Sequence, residues 1–131
     1  MNEMLADKLS NFSRAWARLD EALREKGHAL SRDGAIQRFE FTFETGWKAL
    51  RKFLLVEGHE CASPRDCLKK AFQCGYVDHE EVWLNMLKDR NLSSHLHEEA
   101  EAGRIYENIG TKYSPELKKL QEVLRRKIET L

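Results

Sequence analysis

Apolar residues recur at alternating steps of four and three from the beginning of the chain, and this spacing restricts the fold more than any other feature. The first stripe consists of Leu5, Leu9, Phe12, Trp16, Leu19 and Leu23. It predicts an amphipathic helix of about 22 residues that ends at Gly27. Phe12 and Trp16 could stack on a nucleobase, but aromatic residues at helical spacing usually pack in a core, and we assign them to the core.

A second stripe begins after a short polar segment. Ser31 and Asp33 are candidate N-cap residues for its helix, and Gly58 is a candidate C-terminal stop. The apolar residues between them are Ile36, Phe39, Phe43, Trp47, Leu50 and Leu54. No segment of the sequence alternates apolar and polar residues over a length that would predict a β-strand.

Four further helices are predicted in the second half of the chain. Ser63-Pro64 opens one that closes at Gly75, and Asp78 with Glu81 resembles a capping box that opens the next. The last of the four helices begins at Ser114-Pro115. The apolar residues of these helices, in chain order, are Leu68, Ala71 and Phe72; Val82, Trp83, Met86 and Leu87; Ala100, Ile105, Tyr106 and Ile109; and Leu117, Leu120, Leu124, Ile128 and Leu131. We therefore predict an all-α fold, an up-and-down four-helix bundle with additional short helices, in one domain of residues 1–131.

The composition limits the partners and the compartment. The 22 basic residues balance the 22 acidic residues, so no overall field attracts nucleic acid or a membrane, and any such binding must be local. Dispersed apolar residues and an N-terminus without a signal segment predict a cytoplasmic protein that does not engage a membrane. Cys61, Cys67 and Cys74 are odd in number and lack a Cys-x-x-Cys spacing, which disfavours a disulfide framework and a metal site. We interpret Cys67 and Cys74 as small core residues.

One polar stretch holds a fixed cation, hydroxyl groups and imidazoles close together. Arg90 is permanently charged and matches phosphate oxygens, whereas His95 exchanges a proton near neutral pH, so the two suit phosphodiester chemistry. On a straight helix, however, five residues turn by about 500°, which leaves these side chains about 140° apart. Either the backbone bends between Asn91 and Ser94, whose side chains compete for backbone hydrogen bonds, or a second copy of the chain completes the site. Glu99 lies four residues after His95 and could orient its imidazole.

Glu40, Glu44 and Lys48 share one face of the second predicted helix, at steps of four residues. One interpretation is a surface ladder of charges, worth about 0.2–0.5 kcal/mol for each favourable pair. In the other, Glu40 or Glu44 contacts the Arg90 segment of a neighbouring helix and positions its guanidinium group. The sequence does not choose between these two interpretations.

Residues 38–48, which read RFEFTFETGWK, resemble the matching helix of one branch of the HEPN proteins, the nucleotidyltransferase substrate-binding proteins. The Arg-x4-His spacing of Arg90 and His95, with Asn91 directly after the arginine, is similar to the HEPN active-site signature. The similarity runs in one register over nearly the whole chain, through Ser63-Pro64, Ala71-Phe72, Gly75, Trp83, Arg90-Asn91, His95 and Ile105-Tyr106.

The resemblance implies a helical bundle encoded beside a minimal nucleotidyltransferase of the polymerase-β type, in several cases as the toxin of a toxin–antitoxin pair. It implies a metal-independent ribonuclease, without a cofactor, in which Arg90 and His95 form the catalytic pair and RNA or a nucleotide is bound. Both the resemblance and the spacing argument predict a homodimer. If Trp83 or Leu92 is exposed on the single chain, it would contribute to the dimer interface. The alternative function is a non-catalytic substrate-binding subunit of the transferase.

The sequence departs from the related toxins at one position. Those toxins carry a tyrosine two residues after the histidine, and it accepts adenylate from the partner enzyme; here the residue is His97. Histidine has no phenolic hydroxyl, so we expect this chain to be a poor acceptor. The chain also lacks the Gly-Ser and Asp-x-Asp motifs of polymerase-β-type enzymes, so it is not predicted to be the transferase itself.

Overall fold

The computed structural model describes residues 2–25, 29–93 and 98–131, and all regular secondary structure in these segments is helical, as predicted. The helices are α1 (Asn2–Arg24), α2 (Ala29–Val56), α3 (Pro64–Gln73), α4 (Glu80–Ser93), α5 (Glu99–Asn108) and α6 (Ser114–Thr130), with a π-helical turn at Ile109–Tyr113 between the last two. Within the described segments, no helix combines the length and apolar content needed to cross a bilayer.

The two apolar stripes of the N-terminal half form the centre of the bundle. α1 packs along α2, and α2 also contacts α3, α4, α5 and α6. Most residues of both stripes are buried, and every helix adds apolar side chains to the same core cluster. Trp16 is partly buried against this core, and its indole Nε1 donates hydrogen bonds to the carbonyl oxygen and the Oγ of Ser114, at 3.0 and 3.1 Å.

Three boundary signals are confirmed. The Ser63 Oγ accepts a hydrogen bond from the backbone N–H of Asp66 at 3.2 Å, and Pro64 is the first residue of α3. Gly58 and Gly75 follow α2 and α3 with φ angles of 92° and 82°, a backbone conformation that a side chain disfavours. Gly27, the predicted end of the first helix, lies outside the described residues, and α1 ends at Arg24.

Three predicted N-cap residues, at the starts of two helices, are wrong. α2 begins at Ala29, so Ser31 and Asp33 lie inside the helix and cannot cap its start. α4 begins at Glu80, which excludes the capping box from Asp78. His79 occupies the position before the helix, where its carbonyl oxygen accepts a hydrogen bond from the Trp83 N–H, and the Asp78 carboxylate instead lies 3.0 Å from the Lys119 Nζ.

The sequence predicted a boundary between two helices at Ser114-Pro115, but the helical backbone is continuous there. α5 continues into the π-helical turn, and the turn continues into α6. Pro115 has no backbone N–H and therefore cannot complete an ordinary α-helical hydrogen bond. The wider turn lies directly before this position, where a regular α-helical ladder would be interrupted.

One prediction about the cysteines needs correction. Cys61 and Cys67 form a disulfide with their Cα atoms 5.2 Å apart, although the cysteine count disfavoured a disulfide. The bond joins the segment before α3 to the buried side of α3, where Cys67 belongs to the core as predicted. Cys74 is free and half-buried. Phe72 is 44% exposed because its side chain lies on the outer side of α3.

Phe43 is the best test of the α2 core face, because it is fully buried and belongs to the core cluster. We expect Phe43→Ala to lower the free energy of unfolding in urea by about 3–5 kcal/mol, since a large cavity replaces the ring. Phe41→Ala is the matched control on the same helix, and because Phe41 is 61% exposed it should cost less than about 1 kcal/mol. Equal losses for the two variants would contradict the assignment of this face.

Candidate active site around Arg90

Arg90 lies in the last turn of α4, followed by Asn91, and the helix ends at Ser93. Ser94, His95 and His97, which the sequence places in the same candidate site, lie outside the described residues. The geometry of the site is therefore given by the residues around Arg90.

The guanidinium group of Arg90 is held from three sides. Its Nη2 donates a hydrogen bond to the Glu44 carboxylate of α2, and its Nη1 donates to the Asn91 side-chain oxygen at 3.2 Å. Its Cζ lies 5.8 Å from the centroid of the Phe43 ring, within the range of a cation–π contact. The core face of α2 and its acidic face thus meet at this arginine.

Glu44 contributes to both interpretations proposed from the sequence. It forms a ladder pair with Lys48, whose Nζ lies 3.2 Å from a carboxylate oxygen, and it also contacts Arg90 across the two helices. Glu44 and Arg90 are each 29% exposed, so the pair is partly shielded from water. Among the described residues, Glu44 and Asn91 take two of the five N–H donors of Arg90, which leaves three for an anionic ligand.

Glu40 of α2 also contacts the end of α4. The Ser93 hydroxyl donates a hydrogen bond to the Glu40 carboxylate, and its oxygen lies 2.9 Å from the carbonyl oxygen of Arg90. Glu40 and Glu44 therefore engage two residues in the last turn of α4. These contacts fix the backbone from which residues 94–97 continue.

The environment of Glu44 favours its ionised form. Partial burial by itself raises the pKa of the Glu44 carboxyl, but hydrogen bonds from Trp47 and Lys48 and the charge of Arg90 together hold that pKa below its ordinary value. The Trp47 Nε1 donates to a Glu44 oxygen at 3.2 Å. Glu44 is consequently anionic at neutral pH and available to orient the guanidinium group.

Glu99 has a partner other than the one predicted from the sequence. Its carboxylate lies 2.6 Å from the Nη2 of Arg32, and this contact joins the start of α5 to the start of α2. The contact also raises the pKa of Arg32. His95 is outside the described residues, so the predicted role of Glu99 in orienting its imidazole stays a prediction.

A buried polar cluster directly before Arg90 was not found by sequence reasoning. Asp89 is 3% exposed, and its carboxylate accepts hydrogen bonds from the Arg104 guanidinium at 2.8 and 3.3 Å and from the Tyr113 hydroxyl at 2.5 Å. Burial and the hydrogen bond to Asp89 raise the pKa of Tyr113, so the phenol stays protonated and donates. The cluster joins α4 to α5 and to the π-helical turn.

The sequence contained a signal for this cluster. Asp89 follows Met86 by three residues and Val82 by seven, which is the spacing of the buried face of α4. An acid on an apolar face needs partners, because an unpaired buried charge is strongly unfavourable. The identity of those partners required the fold, since Arg104 and Tyr113 lie on other elements.

One further group could hold a cation. The ligand atoms of Asp78, His79 and Glu116 lie within 4.8 Å of one another. The Lys119 Nζ lies 3.0 Å from Asp78 and 3.3 Å from Glu116, so an ammonium group already supplies positive charge there. The hydrogen bond from this ammonium group lowers the pKa of Asp78.

Comparison with known proteins identifies the family. Residues 7–126 match the model of the family described as nucleotidyltransferase substrate binding protein like. The chain belongs to this family. The match covers α1 to most of α6 and includes both sides of the Arg90–Glu44 contact.

Two solved structures share the fold of this family member. A crystal structure from Thermus thermophilus has 34% sequence identity and a TM-score of 0.75, over 89% of this chain and 98% of that chain. HI0074 from Haemophilus influenzae, reported as the fold of a substrate binding domain of a nucleotidyltransferase, has 21% identity and a TM-score of 0.67, over 95% and 99%. The second comparison is evidence for the fold alone.

One curated relative carries an enzymatic name. A protein named probable ribonuclease HepT from Haemophilus influenzae is 27% identical over 81 residues, which are 58% of this chain and 56% of that protein. The alignment thus spans about half the length of the relative.

The contact between Arg90 and Glu44 predicts a dependence of stability on pH. Because the pKa of Glu44 is lowered on folding, its ionised form stabilises the fold above the unfolded pKa of about 4.3, and this contribution is lost as pH falls through the folded pKa. We expect Glu44→Gln to lower the free energy of unfolding by about 1 kcal/mol at pH 7 and by much less at pH 3. Urea titrations at both pH values measure the difference.

Glu21→Gln is the matched control for this measurement, since it removes the same charge from an exposed position on α1. Its effect should be small at both pH values. If Glu44→Gln lowered the free energy of unfolding by the same amount at pH 7 and at pH 3, the ionised carboxylate would not be the stabilising species.

Proposed function

We propose that this chain is a HEPN toxin-like ribonuclease subunit that partners a polymerase-β-type nucleotidyltransferase. The observation that carries the proposal is the orientation of Arg90, held by Glu44 and Asn91 with further N–H donors available, a few residues before His95. A catalytic arginine needs such positioning, because a flexible side chain loses conformational entropy when it binds a phosphate. Membership of the substrate-binding family and the similarity to a probable ribonuclease support the same interpretation.

The proposed reaction uses the ribose 2′-hydroxyl as the nucleophile. His95, or its counterpart in a second copy, accepts the hydroxyl proton as the 2′ oxygen forms a bond to phosphorus. The bond between phosphorus and the 5′ oxygen then breaks, and an acid returns a proton to that oxygen. Arg90 stabilises the negative charge that develops on the phosphate oxygens. The products are a 2′,3′-cyclic phosphate and a free 5′-hydroxyl.

We further propose that the active form is a homodimer. Leu92, next to the candidate site, is 37% exposed and remains a candidate interface residue. Trp83, the other residue considered for the interface, is only 1% exposed, so it packs in the core of its own chain. A two-fold interface near the end of α4 would bring two Arg90 side chains and two His95 segments together.

The catalytic assignment predicts loss of activity without loss of fold. Arg90→Ala and His95→Ala should each reduce cleavage of a single-stranded RNA by at least about 100-fold, because each removes a group that acts on the transition state. Circular dichroism should show an unchanged helical content, since Glu44 keeps its contacts with Trp47 and Lys48. Full cleavage by His95→Ala would refute the assignment.

Mixed dimers separate a shared site from a site within one chain. In a dimer of one Arg90→Ala chain and one His95→Ala chain, a shared site would retain one intact pair and about half of the natural activity. A site contained within a single chain would be inactive in the mixture. Light scattering of each preparation measures whether the chains are dimeric.

A non-catalytic substrate-binding subunit is the second candidate function, favoured by the description of the family. In that case Arg90 would hold a phosphate of a substrate for the partner transferase without cleaving RNA. Two measurements distinguish this function from the ribonuclease function. Arg90→Ala would lower the activity of the partner transferase, while purified chain alone would leave RNA intact.

The presence of histidine at position 97 leads to a prediction of how the partner transferase would inhibit this chain. Without a phenolic hydroxyl at this position, restraint should come from reversible binding and should weaken on dilution. After incubation with the partner, ATP and magnesium, intact mass spectrometry of the separated chain should show no stable AMP adduct. His97→Tyr is the informative variant, and it should gain the adduct. A stable adduct on the natural chain would contradict this prediction.

A further inference from the structure

The outer faces of α1 and α2 enclose an open groove that the candidate active site does not use. Its volume is 760 Å³, and it is lined by Asn11, Arg14, Ala15, Arg18, Gln37, Arg38, Phe41 and Thr45. Three of these residues are arginines and none is acidic. We call this surface the arginine groove.

Phe41 presents an aromatic ring to water within this groove. Phe39 and Phe43, two positions away on either side, are buried in the core, and the helical turn therefore directs Phe41 to the opposite face. The ring is 61% exposed. An exposed ring between cationic side chains is the arrangement on which single-stranded nucleic acid stacks its bases.

The arginines concentrate positive charge in a chain whose net charge is zero. Arg14 and Arg18 are exposed one helical turn apart on α1, and Arg38 reaches across from α2 to donate a hydrogen bond from its Nη1 to the Arg18 carbonyl oxygen at 2.8 Å. Among the described residues, none of the three forms an ion pair with a carboxylate. Their charge is therefore available to an anionic ligand.

A second groove, lined in part by acidic residues, lies between the arginine groove and the end of α4. Gln37 lines both the arginine groove and this second groove of 340 Å³, which includes Glu40 and Ser93. Those two residues hydrogen-bond to each other beside the backbone of Arg90. Asp33, Glu98 and Glu99 also line this second groove, so its carboxylates do not attract phosphates, and the arginine groove is the surface that fits an RNA backbone.

We propose that the arginine groove binds single-stranded RNA, with phosphates on the arginines and a base stacked on Phe41. This inference rests on the proposed function, because it assigns a binding surface to the RNA that the Arg90 site would cleave. A second copy of the chain is a poorer occupant, since a two-fold contact would place the arginines of one copy against those of the other. RNA instead supplies both the negative charge and the flat rings that the groove can hold.

The test measures binding of a fluorescent, mixed-sequence RNA of about 12 nucleotides, within the site size of single-strand binding surfaces, by anisotropy at several salt concentrations. Every ribose carries a 2′-O-methyl group, so the probe lacks the nucleophile for cleavage and stays intact. Phe41→Leu keeps an apolar side chain but loses the stacking surface, and it should weaken binding about 10-fold. The double variant Arg14→Gln/Arg18→Gln should lower the slope of log K against log salt by about 1.4.

Arg125→Gln/Arg126→Gln is the matched control, because it removes the same charge from two exposed arginines of α6 outside the groove. It should leave the salt slope unchanged. Arg38 is not substituted, because its hydrogen bond joins α1 to α2. Circular dichroism and light scattering check that the variants keep the fold and oligomeric state of the natural chain.

The proposal is overturned if the natural chain does not bind the probe, if Phe41→Leu binds normally, or if the control pair loses as much salt dependence as the groove pair. Dissociation of a dimer by the groove variants would overturn it as well and would identify the groove as a contact between copies. The proposed function is judged separately, by cleavage of unmodified RNA with Arg90→Ala. The two failures are therefore distinguishable.

Discussion

The apolar face of α2 is the surface on which the described structure depends, because the five other α-helices all contact α2. Phe39, Phe43, Leu50 and Leu54 are completely buried along this face. Burial of side chains of this size contributes about 1.5–3 kcal/mol each relative to exposure, and hydrophobic burial is the main favourable term in folding. The position of every functional group near α2 follows from how the other helices pack on these residues.

The end of α4 is fixed by polar contacts in addition to this packing. Asp89 is buried and paired with Arg104 and Tyr113, whereas the next residue, Arg90, points to Glu44 on α2. Loss of one partner from a buried charged group leaves an unsatisfied charge, which costs more than the intact pair contributes. The two successive residues therefore hold the helix end between α2 on one side and α5 with the π-helical turn on the other. The contacts with Glu44 and Asn91 limit the orientations that the Arg90 side chain can take.

The sequence predicted what depends on local spacing and missed what depends on contacts between distant residues. The stripes of α1 and α2 and the Ser63-Pro64 cap are local patterns, and the structure confirms them. Asp78 has the side chain of a helix cap, but its ion pair with Lys119, 41 positions away, was invisible before the fold was known. The disulfide between Cys61 and Cys67 spans only six positions, but it was missed because the number and spacing of the cysteines do not show how the segment before α3 packs on that helix. The resemblance supplied the Arg90 and His95 pair, while the contact of Arg90 with Glu44 required the packing of α4 on α2.

α2 carries three different surfaces because its residues advance by about 100° each. Phe39 and Phe43 face the core, and Glu40 and Glu44 face the end of α4. Phe41 belongs to a third surface, which faces the arginine groove. The three surfaces interleave within a few residues, so a small rotation of α2 about its axis would disturb the core, the Arg90 contact and the groove together. The rigid packing of the core face therefore sets the relative positions of the candidate catalytic site and the arginine groove, although no residue of the core face needs to touch RNA.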